Sequence, residues 1–293
     1  MSSPVDDRNE AHAADSAPAG LVALGAMSLL VGAASGLIGA TFRLTLSRAD
    51  EMRDALITRA HDWRLAGLLL LVAVCSCATA IAAWLVRRFS PQASGSGIPH
   101  VEAVLEGHLP PATFRLLPVK FAGGVLAIGA GLALGREGPS VQMGASVSHL
   151  LGKLFRRDAR DCRTLLAAGA GAGLATAFNA PIAGAVFVLE ELVRRFDTRI
   201  TLATFGASAG AIAVARVLLG QSPDFHIGDI PYPGFGSLPW YIALGIFTGV
   251  LGIAYNRTIL GTLALADQCA RVPVEARAAI VGAVVGVVAW FTP

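Results

Sequence analysis

Residues 132–144 read LALGREGPSVQMG, and how this stretch is read decides what fold the chain can adopt. An arginine, a glutamate, a proline and three glycines interrupt an otherwise apolar run. An ionised side chain at the centre of a membrane helix costs about 2.5–3.5 kcal/mol on an insertion scale. Arg136 and Glu137 are therefore worth keeping there only if they act. Proline fits the first turn of a helix, where its missing N–H is not needed. A helix starting near Pro139 aims unpaired amides and its positive dipole end at whatever lies beside Gly135–Gly138. Such a site holds a halide mostly through backbone, without a full positive charge that would trap it. Glu137, an anion at the same place, can fill the site when no external ion does and swing away on protonation. The alternative, a Glu137 merely paired with Arg136, suffers because neighbours in sequence point apart on a helix.

The rest of the chain supplies the solvent for this reading. Of 293 residues, 54% are hydrophobic and only 15% charged, with a mean hydropathy of +0.62. Soluble chains carry about 25% charge, so the composition is that of an integral membrane protein. The 33 glycines suit closely packed transmembrane helices. A net charge of +3, scattered along the chain, gives no nucleic-acid partner. Cys75, Cys77, Cys162 and Cys269 show neither metal spacing nor a disulfide framework, and the six histidines are dispersed. No metal and no cofactor are called for.

Residues 1–20 are polar, lack the basic start of a cleavable signal and read as a disordered cytoplasmic tail. Residues 21–42 and 65–86 are uncharged and long enough to span a bilayer, which takes about 20 residues. Shorter or broken apolar segments follow at 121–135, at 164–189 with NAP at 179–181 and at 200–215; 239–255 is a further span and 278–292 begins a last one. Full spans alternating with Gly/Pro-interrupted ones point to helices that stop inside the membrane, where their ends can hold an ion. Arg87–Arg88, Lys153 to Arg163, Arg194–Arg199 and Arg257 to Arg277 are expected on the cytoplasmic side. The loop 217–240, without Lys or Arg, is expected outside. The region 43–64 fits poorly, since it would lie outside with five arginines.

Two further motifs share the logic of the first. GSGIP at 95–99 places glycines, the Ser96 hydroxyl and a proline at the start of a short helix; a surface turn is the competing reading. FNAPIAGAVFVLEE at 178–191 breaks one helix and starts another that ends in Glu190 and Glu191. Adjacent acids at a helix end are ordinarily solvated; the functional reading has one of them accept protons from inside. GASAG at 206–210 matches a serine-hydrolase pattern, but that motif needs a strand-to-helix elbow and this one lies in an apolar helical run. No nucleophile–base pair is found, so an enzyme is not expected.

Together, GSGIP, GREGPSVQMG and AFNAPIAGAVFVLEEL, in this order and spacing, resemble the CLC family of chloride channels and chloride/proton antiporters, specifically its bacterial antiporters. The resemblance covers roughly residues 21–293 and is sharp in 95–200. It implies an all-α polytopic membrane protein: an inverted-repeat helical bundle with broken helices, acting as a homodimer in the lipid bilayer of the inner (plasma) membrane. It implies a first repeat over 21–237 and the start of a second over 238–293, which is incomplete: no GGIFAP-like segment and no later tyrosine follow. It implies chloride held by Ser96, Gly97, Ile98, Arg136, Glu137 and Gly138. Glu137 matches the gating, external proton glutamate and Glu191 the internal one. Glu102 and Lys120 match charged positions that support the structure. The expected function is exchange of chloride for protons. The alternatives are a passive voltage- or ligand-gated chloride channel, and a non-transporting fragment that needs the missing half.

Overall fold

The structure, a computed structural model, describes residues 18–221, 234–269 and 271–292. Among these residues ten α-helices follow one another: α1 (Pro18–Asp62), α2 (Leu65–Phe89), α3 (Ile98–Glu106), α4 (Leu116–Gly129), α5 (Glu137–Leu154), α6 (Ala159–Phe178), α7 (Pro181–Phe187), α8 (Thr198–Leu219), α9 (Leu238–Gln268) and α10 (Val274–Phe291). The expected tail falls mostly outside the described residues, and α1 begins at Pro18. Of the expected external loop, residues 222–233 lie outside them too.

Local chemistry sets the breaks. The region 43–62 is not a loop between spans, because α1 runs through it without interruption. Some of its charges pair along the helix, Arg48 with Glu51 and Arg53 with Asp50, each at 2.7 Å, while Arg43 donates to the Thr176 carbonyl on α6 at 3.1 Å. NAP ends α6 and starts α7 as expected: Asn179 caps α6 in the left-handed region at φ 53°, and Pro181 opens the next helix. Aspartates cap the two helices that begin after basic loops. Asp158 accepts from the Asp161 amide at the head of α6, and Asp197 from the Arg199 amide at the head of α8.

Two central helices carry the core. α5 and α6 are buried along most of their length and pack on each other, with α1 and α8 wrapped around α6 and α1 and α4 flanking α5. Backbones approach closely where side chains vanish: a Cβ on Gly173 would lie 2.7 Å from the Ser140 carbonyl carbon. Among the described residues, five helical stretches are long and apolar enough to cross a membrane, those containing α1, α2, α8, α9 and α10. Neither α5 nor α6 is among them. Their polar residues are tolerated because other helices shield them from lipid.

The basic segments expected on one side of the membrane converge on one another. Asp161 is 97% buried and takes hydrogen bonds from Arg157 Nε at 2.8 Å and from Arg199 at 2.6 Å. Arg87 meets Glu275 at 2.6 Å, joining α2 to the head of α10. At the other end of α10, the His61 ring stacks on Trp290 with centroids 4.2 Å apart. Between these ends the Thr79 hydroxyl donates to the Ala278 carbonyl at 2.8 Å. The helix α10 is therefore fastened to the first part of the chain along its whole length.

Candidate functional site

Two broken helices bring their N-termini together. α3 starts from Gly97, whose φ of 96° is in the left-handed region that glycine enters without strain, and carries Pro99 in its first turn. α5 starts at Glu137, two residues before Pro139. In each first turn the amides have no acceptor within the helix, and proline removes one of them from need. The two starts touch: a Cβ on Gly138 would lie 2.6 Å from the Ser96 hydroxyl oxygen, and one on Gly97 would lie 2.5 Å from Gln142 Oε1. Only residues without side chains at both places allow two positive dipole ends to approach this closely.

These ends face one cavity of about 770 Å³, walled by α2 and α4 and bounded by Val274 at the head of α10. Ser96, Ile98, Glu137 and Gly138 of the expected anion set line it, together with Gly135 and Pro139. The Ser96 side chain is exposed to the cavity. The Glu137 carboxylate folds back over Gly135, so closely that Oε2 occupies the space a Cβ there would need. Gly97 is buried behind Ser96 and does not line the cavity. Arg136 is half-buried at the N-cap of α5, outside the lining, and its carbonyl accepts from the Ser140 amide at 3.1 Å.

The two residues expected to give support lie in separate places. Lys120 on α4 is 95% buried, and its ammonium donates to the Ala93 carbonyl at 3.0 Å and the Gly95 carbonyl at 2.7 Å. It therefore holds the loop that presents Ser96, and its charge lies on the cavity wall. Glu102, further along α3, accepts from Arg194 at 2.8 Å. Glu191 lies elsewhere. It is exposed, as is Glu190, in a π-helical turn over Val188–Leu192 that is closed by the Val193 amide on the Val188 carbonyl at 2.8 Å. Glu191 does not line the cavity that holds Glu137.

Gln142 was not singled out in the sequence, yet it is fully buried and its amide donates to the Gln92 carbonyl at 2.8 Å. It fastens α5 to the turn before Ser96. Helical spacing could have found it, since it lies four residues after Gly138 on the same face. The π-helical turn carries no comparable signal.

Comparison with known proteins agrees with this architecture. Residues 78–293 match the family model described as voltage gated chloride channel. The chain is 38% identical over 245 residues to the H(+)/Cl(-) exchange transporter ClcA of Salmonella typhi and 36% identical over 236 residues to that of Citrobacter koseri. Each alignment covers 80% of this chain and 50% of the relative, so the chain spans about half the length of the curated relatives it matches. Among solved structures it is similar to a slow cyanobacterial Cl-/H+ antiporter, with TM-score 0.85 and 33% identity over 92% of this chain and 64% of that one. It also resembles a CLC-type fluoride/proton antiporter, with TM-score 0.66 and 25% identity over 81% of this chain and 57% of that one. The helix order, the two abutting broken helices and the matched span lead to one assignment: this all-α, multi-pass membrane protein belongs to the CLC family of voltage gated chloride channels and chloride/proton exchangers.

Proposed function

We propose that this chain carries the anion-binding and gating half of a secondary transporter that exchanges chloride for protons. The observation that carries the reading is the meeting of the α3 and α5 N-termini at Ser96 and Gly138, with the Glu137 carboxylate folded beside them in one cavity. Chloride and the carboxylate are alternative anions for the same first-turn amides and the Ser96 hydroxyl. When chloride occupies them, Glu137 is displaced, and a displaced carboxylate in a half-buried cavity gains by taking a proton. Anion entry and protonation are thereby linked. The Lys120 charge on the cavity wall attracts the anion, and its bonds to two carbonyls keep it from closing on the ion as a tight pair.

Glu191, exposed beside the cytoplasmic arginines, is the internal proton acceptor in this reading. The transporter works in the inner membrane as a homodimer; these two statements rest on family membership. A passive chloride channel is the second reading, because the exposed Glu191 makes no contact with the cavity.

Chloride efflux from proteoliposomes, with external pH recorded at the same time, separates the two. Exchange moves protons in as chloride leaves, and Glu137→Gln abolishes that proton movement. Chloride flux with no proton movement in the unaltered protein selects the channel. Absence of flux from membrane-inserted chain selects the fragment that needs further polypeptide.

A further inference from the structure

His100 and His149 lie away from the anion cavity, in a part of the molecule that the proposed exchange does not use. His149 is on α5, twelve residues beyond Glu137, or about 18 Å along the helix axis. His100 is in the first turn of α3. With Ser146 and an apolar surround that includes Val101, Val104 and Leu166, they line a second, small void between α3, α5 and α6. It has room of about 10 Å³ for the centre of a water molecule, close to the least that holds one.

The polar groups around this void are unmet. No hydrogen bond of ordinary geometry meets any of the four buried ring nitrogens of His100 and His149, and His149 is 94% buried. The Cys162 backbone makes a weak, poorly aligned hydrogen-bonding contact with the His149 ring. Ser146 donates its own proton to the Gln142 carbonyl at 2.7 Å, which leaves its lone pairs for the void. A neutral imidazole offers one N–H and one lone pair, and each polar group left unmet in the interior costs about 1–3 kcal/mol. A water accepts from one ring and donates to the other ring or to Ser146. A metal cation is opposed by the charges that act here, Lys120 on His100 and Lys153 on His149.

We propose that His100, Ser146 and His149 enclose a single structural water that fastens α3 to α5. His100 is two residues after Ile98, so this bridge sets how closely the N-terminus of α3 approaches that of α5. The two histidines are positioning residues for the anion site, a role that rests on the exchange reading above; the water itself does not.

Two measurements test this on the full-length protein in lipid nanodiscs. A high-resolution map is expected to show one density peak within hydrogen-bond distance of both rings; an empty void, or a peak with metal-like coordination, overturns the proposal whatever the transport assay gives. In proteoliposomes, His149→Leu is expected to raise the half-saturating chloride concentration at least threefold and to lower the maximal rate by less than that. His149→Gln, which restores a donor and an acceptor, is expected to recover most of the loss. Unchanged half-saturation in the Leu variant, or equal losses in both variants, overturns the positioning role.

Discussion

α6 and α9 are both long and glycine-bearing, yet α9 is apolar enough to cross a membrane and α6 is not, and they sit in opposite surroundings. Almost every residue from Asp161 to Ala177 on α6 is buried, whereas α9 buries none. Their glycines differ in the same way. Gly169 and Gly173 face the backbones of Gly144 and Ser140, and Gly171 faces Gly184, while Gly245, Gly249, Gly252 and Gly261 have nothing within 4 Å of where a Cβ would be. Among the described residues, α9 packs on the short turn Phe235–Ser237 before it, and its Ala266 carbonyl accepts from Arg277 of α10 at 2.7 Å. Small residues at matched heights thus mark helices that pack closely against each other, which hydropathy by itself does not reveal.

The largest expected effect comes from the charged seam at the head of α6. Asp161→Asn leaves Arg199, 93% buried, facing a neutral amide. Breaking a buried pair from one side costs about 3–5 kcal/mol, so thermal unfolding in detergent should show a large drop in midpoint. If Asp161→Asn melts with the parent, the α6 region owes its order to packing alone.

Next is a matched pair that sets the two helices directly against each other. Gly173→Val forces a side chain into the Ser140 backbone and should cost about 1–3 kcal/mol or more. Gly249→Val on α9 meets open space and should change stability by less than about 0.5 kcal/mol. Equal losses in the same melting assay would mean that α9 is packed in the assembled protein, and would end the contrast.

Lys120→Met probes the seam between packing and site. Removing the ammonium leaves the Ala93 and Gly95 carbonyls without their donor, at about 1–3 kcal/mol. It also removes a positive charge from the cavity wall. The expected outcome is a modest loss of stability and a clear weakening of chloride binding by isothermal titration. A stability loss with unchanged binding would make Lys120 a brace for the loop and nothing more.

Much of this was legible before the structure. GSGIP, GREGPSVQMG and the NAP break mark helix starts because proline and glycine act within one turn of themselves, and all three positions became starts or breaks of helices. Lys120 was legible as a charge in an apolar segment, but its acceptors lie 25 and 27 residues earlier, out of reach of any local pattern. Gln142 was readable only by following Gly138 around its helix. The region 43–62 misled because hydropathy finds where apolar residues stop, not where a helix stops, and α1 continues through its charged residues.

By itself the sequence determined that this is a helical membrane protein with interrupted helices and a glutamate at the head of one of them. These are properties of composition and of backbone chemistry over a few residues. Only the tertiary structure decided that Ser96 touches Gly138, that the Glu137 carboxylate lies over Gly135 in the cavity they share, and that Glu191 faces solvent elsewhere. The physical reason is distance along the chain: about forty residues separate the two helix starts. Only the packing of α3 against α5, and the bonds of Lys120 and Gln142 to the intervening loop, bring those starts into contact.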